Sequence, residues 1–333
     1  MILVIDRKNS VLRHQAGCLL IEQPGKPRRR APLSQIEQVI IQGNPVAETA
    51  VWRALSDAGV PTVMLPTRGK GAVAMLGAGL ATQLPLRRLQ HRLADRPQAA
   101  LALARWFIGL KLQSQDLSLS ALDPDAAGGD DIDAFRAQRD EALIRLPECR
   151  NIDAVMGLEG QTARGWFALL ARRLPYCWKF SGRNRRPPRD PVNALLSLGY
   201  TLMQGDVRQV LIGSGLDPSL GFLHQDYPGR EALALDFTEI FRSGIDCFVI
   251  QLLTRDQAFD NASFYYRAAE GCRLSKAARP LFFKAWAQYR ENWPRPIAEE
   301  KDWRKRSTAP LREQIGGQIA LVREYMKQLE KAQ

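Results

Sequence analysis

The hydrophobic pattern of this chain changes its period once, near residues 77 to 86, and that change divides the sequence. Before it lie short apolar runs of strand character: Ile2–Ile5, Cys18–Glu22, Val39–Ile41, Thr62–Leu65 and Ala72–Leu76. Turn residues punctuate them at Pro24-Gly25, Gly43-Asn44-Pro45 and Arg68-Gly69-Lys70-Gly71. One amphipathic helix is expected among them over Val46–Ala58, started by Asn44 and Pro45 and stopped by Gly59 with Val60-Pro61. From Leu84 onward the period is helical. Leu86, Leu89, Gln90 and Leu93 share one face, Ala99–Leu119 continues the pattern, and Leu311–Lys331 repeats it with Ile315, Ile319, Val322, Met326 and Leu329. The expected fold class is therefore α+β: a small N-terminal β-rich domain over residues 1 to 80, then a larger all-α domain over 85 to 333. The 333 residues leave room for two ordinary domains.

The charge balance narrows the partners. Lysine and arginine number 47 against 35 acidic residues, a net charge of +12. Such an excess gathers polyanions and speeds their encounter, nucleic acid first and an anionic membrane surface second. No apolar run approaches the roughly 20 residues a bilayer span requires. The opening MILVIDRKNS has none of the regions of a signal peptide, so cytoplasmic residence is the expectation. The basic residues are not gathered on one amphipathic helix, which argues against a membrane-surface protein. The five cysteines are scattered without a CxxC pair, against both a structural zinc site and a disulfide framework.

Residues 217–242, DPSLGFLHQDYPGREALALDFTEIFR, hold the densest chemistry. His224 precedes Asp236 and Glu239, which stand three apart in an apolar frame and share one face if that frame is helical. A carboxylate in such a frame needs a partner. Arg242, three residues past Glu239, would serve, and so would a metal ion. Glu159 lies between glycines in GLEGQTARGWF and reads as a carboxylate at a helix start, where the helix dipole favours it; Gly157 and Gly160 suggest close approach of another group. One imidazole with several carboxylates suits a hard divalent ion such as Mg2+ or Mn2+. A second cluster is basic: Arg172, Arg173, Lys179, Arg183, Arg185, Arg186 and Arg189, interleaved with Tyr176, Trp178 and Phe180 and braced by Pro187-Pro188. Guanidinium groups suit phosphate and aromatic rings can stack on bases. Arg164 and Asn184 join this nucleic-acid set. Lys26–Arg30 and Arg304–Arg306 are weaker patches, read as solvated surface or minor phosphate contacts.

Three motifs in order, GLEGQTARGWF, NRRPPRDPVNALLSLGYTLM and GLDPSLGFLHQDYPGREALALDFTEIFR, closely resemble the CRISPR-associated adaptation integrase family, the nuclease-integrase subunit of spacer acquisition. The resemblance implies a metal-dependent endonuclease and strand transferase that joins a DNA 3′-hydroxyl into a CRISPR repeat. It implies Glu159, His224 and Glu239 as ligands of Mg2+ or Mn2+, with Asp236 beside the metal in the catalytic set. It sets Asn184, Arg186, Pro187, Asp190 and Asn193 next to the site. It also implies a homodimer that works with a dimer of a small ferredoxin-like CRISPR adaptation protein; antiparallel edge strands in the β domain of residues 1 to 80 could pair across a two-fold axis and make that domain the expected place of self-association. Ser243 stands where that family commonly has proline. A branched-DNA endonuclease that does not join, and a non-catalytic DNA-binding scaffold in which the three residues form a salt-bridged cluster, are the competing readings.

Overall fold

The computed structural model describes residues 2–5, 9–36, 38–42, 44–60, 62–65, 74–76, 84–123, 125, 127–184, 187–255, 259–268, 271–299, 302 and 304–332. The chain divides into two compact units, Met1–Leu84 and Pro85–Gln333.

The first unit carries two four-stranded sheets among its described residues. Strands β1 (Ile2–Ile5), β2 (Val11–Gln15), β3 (Cys18–Glu22), β4 (Arg29–Pro32), β5 (Gln38–Gln42) and β6 (Val46–Ala47) precede helix α1 (Thr49–Asp57), and β7 (Thr62–Leu65) and β8 (Ala74–Leu76) follow it. One sheet runs β4-β3-β2-β6 and the other β1-β5-β7-β8. The β2–β3 hairpin turns through Ala16 and Gly17, both at positive φ, as the tight hairpin turn demands. Leu3 and Ile5 point into the core with Leu12, Leu19, Ile21, Val39 and Ile41, while Val4 between them is exposed. That is the period-two alternation of a half-buried strand. Helix α1 closes this core with Val51 and Leu55, one turn apart. It starts three residues later than its apolar pattern suggests, because Val46 and Ala47 pair with Val11 and Leu12 as a parallel strand instead. It ends where expected: Gly59 is left-handed, and the Val60 amide donates back to the Leu55 carbonyl at 2.8 Å. The expected turn at 68–71 and the start of the Ala72 strand lie outside the described residues.

The second unit is mostly helical. Its helices are α2 (Leu84–Ala94), α3 (Pro97–Leu122), α4 (Asp130–Arg145), α5 (Ile152–Arg173), α6 (Pro191–Gly213), α7 (Ala232–Thr254), α8 (Ala278–Glu291) and α9 (Leu311–Lys331). The all-helical expectation omitted two short antiparallel pairs, β9 (Phe264–Arg267) with β10 (Gly271–Leu274) and β11 (Trp293–Pro294) with β12 (Thr308–Ala309). Helix α7 is the axis of the unit and is buried at almost every position from Ala232 to Leu253. An apolar surface all round marks a helix enclosed by others. Its chief neighbour is α3, against which Phe237 and Phe107 meet edge to face at 5.0 Å. Gly244 admits the Trp293 ring, which a Cβ there would strike at 2.3 Å. The helix runs unbroken through Ser243. No helix of the described residues is long and apolar enough to cross a membrane.

Candidate active site

Three helices deliver the charged residues to one place. Asp236 and Glu239 ride on α7, three residues apart, inside an otherwise apolar surface. Lys111 rides on α3 between Ile108 and Leu112, and Glu159 on α5. The reading of Glu159 as a helix-start carboxylate is corrected here. Asn151 caps α5 by accepting the Ala154 amide at 2.8 Å, so the helix begins at Ile152 and Glu159 lies two turns inside it. The flanking glycines do not mark a close approach either, since a Cβ at Gly157 or Gly160 would meet nothing within 4 Å.

Lys111 holds the two glutamates. Its Nζ donates to Glu159 Oε1 and, at 2.5 Å, to Glu239 Oε2. Arg242 takes the other oxygen of Glu239 at 2.7 Å. The Glu239 side chain is 4% exposed and that of Glu159 is 24%, so one acid is sealed and the other faces out. Burial opposes the Glu239 charge, but Arg242 and Lys111 outweigh it and bring its pKa down to about 2. His224 also favours that charge, and it is tied through Asp236 to the same helix three residues before Glu239.

Asp236 has a different task. Its Oδ2 accepts the Phe222 and Leu223 amides at 2.7 and 3.0 Å, and its Oδ1 accepts the His224 amide at 3.0 Å and bonds His224 Nδ1 at 2.7 Å. Fully buried, it ties down the loop that carries the histidine and fixes the ring. In this structure it acts as a positioning residue for His224. Two further devices hold the same loop. Gly221 lies so close to α7 that a Cβ would meet Ala232 and the Asp236 carboxylate at 2.8 and 2.9 Å. Gln90 on α2, wholly buried, grips the Asp217 and Leu220 carbonyls at 2.8 and 2.7 Å and accepts the Asp217 amide at 2.8 Å.

Behind Glu159 lies a cavity of about 40 Å3 lined by Lys111, Gln115, Trp166, Tyr200, Arg242, Ser243 and Asp246 among others. Asp246 accepts a hydrogen bond from Tyr200. Burial is the main influence on its carboxyl and raises its pKa to about 6.

Sequence reasoning passed over Lys111 and Gln90. Each is a polar residue on a largely apolar buried helix face, the signal that had singled out Asp236 and Glu239. Among the described residues, no three His, Cys, Asp or Glu side chains stand close enough together to hold a metal ion. The donors nonetheless suit one: Asp236 occupies His224 Nδ1 and leaves Nε2 to ligate, and the ionised Glu239 and outward-facing Glu159 supply oxygen.

The basic cluster separates into surface and framework. Arg164, Arg172, Lys179 and Arg189 are exposed, as is Tyr176 at 92%. Arg173 instead clamps Asp131 with two hydrogen bonds and the Gly128 carbonyl with a third. Arg183 donates to Asn193 at 2.8 Å and Ser197 at 3.0 Å and to the Asn184 carbonyl. The Asn184 side chain accepts the Arg189 amide at 2.9 Å. Trp178 and Phe180 are buried, the former donating to the Leu253 carbonyl at 3.0 Å, so neither ring is available to a base. The stacking role expected of Trp178 and Phe180 is corrected accordingly, while Arg173, Arg183 and Asn184 are engaged by protein partners. Arg185 and Arg186 lie outside the described residues. In the C-terminal patch, Arg306 is buried and donates to the Arg295 and Pro296 carbonyls, so it is not solvated surface.

The family model described as CRISPR associated protein Cas1 matches residues 3–288. The chain belongs to the Cas1 family. It is 31% identical over 317 residues to a CRISPR-associated endonuclease Cas1 of Thermodesulfovibrio yellowstonii, covering 90% of this chain and 97% of that protein. Among solved structures it is similar in fold to a casposase bound to integration product, with a TM-score of 0.79, 19% identity, and 98% and 90% of the two chains covered. It is also similar to a chain of a Cas6-RT-Cas1–Cas2 complex, with a TM-score of 0.77, 20% identity, and 99% of this chain and 35% of that one covered.

Proposed function

We propose that this Cas1 protein is a metal-dependent DNA endonuclease and integrase that joins a DNA 3′-hydroxyl end into a CRISPR repeat. The observation that carries the reading is the convergence of Glu159 and Glu239 on one buried cation, with His224 anchored by Asp236 three residues before Glu239 on the same helix. Glu159, Glu239 and His224 Nε2 would hold Mg2+ or Mn2+, and a bound ion would polarise the scissile phosphate and stabilise charge on the attacking or leaving oxygen. The protein's own share is position: Asp236 orients the imidazole, Arg242 keeps Glu239 ionised, and Glu159 opens the site to the outside. Arg164, Arg172, Lys179 and Arg189 would hold the DNA backbone, giving steep salt dependence and little base reading.

Two partners complete the reading. A homodimer through the small unit has support in its outermost strands, where Val4 of β1 and Val46 of β6 expose apolar side chains on edges able to pair. The likeness to a chain solved with Cas2 supports a dimer of the small ferredoxin-like adaptation protein as the second.

A second reading has its own observation. Lys111 and Arg242 neutralise Glu159 and Glu239, which is what a non-catalytic DNA-binding scaffold would need from a purely structural cluster. An integration assay separates the readings, using a short duplex with 3′-hydroxyl ends, repeat-bearing supercoiled DNA and Mn2+ or Mg2+. Metal-dependent joining that Glu159→Ala and Glu239→Ala both abolish is expected. Cutting without joining would leave a branched-DNA endonuclease. The absence of any product, with DNA binding unchanged in both variants, would leave the scaffold.

A further inference from the structure

Lys111 sits where a metal ion would have to compete with it. Its ammonium is buried and lies within hydrogen-bond reach of one oxygen from each glutamate. The two acids come from different helices and would repel each other without it. Arg242 supplies a second fixed positive charge to Glu239. Two cations thus stand against the two glutamates. A divalent ion entering beside the glutamates meets those cations at close range, where each unit charge acts strongly. Arg242 is held over the Tyr200 ring at 4.8 Å and has a rigid planar head. Lys111 has a flexible four-carbon stem and a compact charge, so it is the cation able to leave.

It also has somewhere to go. Lys111 lines the cavity of about 40 Å3 that Glu159 also lines. Gln115, one helical turn further along α3 on the same face, lines it too, and so do Ser243 and Asp246. Gln115 Oε1 and Ser243 Oγ are buried and have no hydrogen-bond partner. Buried acceptors left unpaired are costly and mark a place where a donor fits.

We infer that Lys111 is an exchangeable counter-cation, which holds Glu159 and Glu239 together until a divalent ion binds and then withdraws toward Gln115, Ser243 and Asp246. The inference rests on the metal-dependent reading above and makes Lys111 a positioning residue that sets metal affinity. It predicts opposite effects at two neighbouring positions. Lys111→Met removes the competitor, and Gln115→Leu removes an acceptor at the refuge with little change in volume.

The test is Mn2+ binding to the full chain by electron paramagnetic resonance, with circular dichroism to confirm folding. Lys111→Met should bind Mn2+ about tenfold more tightly than the parent or better, as loss of a near cation requires. Gln115→Leu should bind it several-fold more weakly, Lys111→Arg no more tightly than the parent, and Glu159→Ala hardly at all. If the parent binds Mn2+ and Glu159→Ala does not, yet Lys111→Met binds no more tightly, the exchange is overturned and the metal site stands. If neither the parent nor Lys111→Met binds Mn2+, both fall together. Should Lys111→Met fail to fold, Gln115→Leu decides: unchanged affinity overturns the exchange.

Discussion

Two of the buried ionic clusters among the described residues of the larger unit are built to opposite ends. In one, Asp206 of α6 is held by Arg290 of α8 at 2.9 Å and approached by Arg312 of α9 at 3.8 Å. In the other, Glu159 and Glu239 share Lys111, and Arg242 closes the far side. Both remove charge from water, yet the acids respond differently. At Asp206 burial is the largest influence and the pKa is raised. At Glu239 burial is again the largest single influence, but two cations overcome it and the pKa falls to about 2. The first cluster is one acid sealed among three helices. The second keeps its anchor acid firmly ionised and leaves a second acid facing outward. Burial of charge alone therefore does not mark a site; a firmly ionised buried carboxylate beside a second, less buried one does.

The sharpest way to break this comparison is to remove one acid from each cluster. Asp206→Asn strips Arg290 of its buried counter-charge and should cost about 3–5 kcal/mol, as loss of one member of a buried pair usually does. Mn2+ binding by the folded fraction should be unaffected. Glu239→Gln should cost less, because Glu159 still holds Lys111, but should abolish Mn2+ binding. Urea unfolding and metal titration of both variants check this. Loss of Mn2+ binding in folded Asp206→Asn would show that the two clusters act as one.

How much of this was legible beforehand depended on how local the signal was. The helices announce themselves by period, and Leu311–Lys331 matches the boundaries of α9. Strands β2 and β4 escaped because Arg13, His14 and Gln15, and Arg29 and Arg30, hide the alternation. Their strand state is imposed by pairing with β3 on either side. Glu159, His224, Asp236 and Glu239 were visible as polar residues in apolar frames. Lys111 was equally visible as a residue, but its role depends on partners 48 and 128 positions away. The same distance effect misled the reading of the basic cluster. Arg173 looked available for phosphate because its partner Asp131 lies 42 residues upstream.

A subtler contrast lies within α7, where Glu239 and Asp246 should pull the pH dependence of stability in opposite directions. The Glu239 pKa is lowered on folding, so its contribution is present above about pH 4.5 and is lost as pH falls toward 2. Asp246 is raised from 3.8 to about 6, burial being the main cause. The folded state then binds its proton more tightly than the unfolded chain. Its favourable contribution is complete below about pH 4 and disappears as pH rises through 6, an effect of up to roughly 3 kcal/mol. Asp246→Asn should remove that decline. Urea midpoints at pH 4, 5 and 7 would measure it, and an undiminished decline in the variant would assign it to another group.

The smallest expected effect separates surface from framework within the basic cluster. Arg164 is exposed, whereas Arg173 is committed to Asp131 and the Gly128 carbonyl. A phosphate contact contributes through counterion release, so Arg164→Ala should weaken duplex binding uniformly across sequences and reduce the salt slope by about one. Arg173→Ala should leave that slope intact and lower the melting temperature, because it unties the α3–α4 connection from the end of α5. Fluorescence anisotropy across a salt series, with thermal melts alongside, reads both quantities. Equal slopes for Arg164→Ala and the parent would move the DNA path away from α5. A reduced slope for Arg173→Ala would mean that Asp131 gives up its arginine when DNA binds, and the acid would then be acting as a gate rather than a clamp.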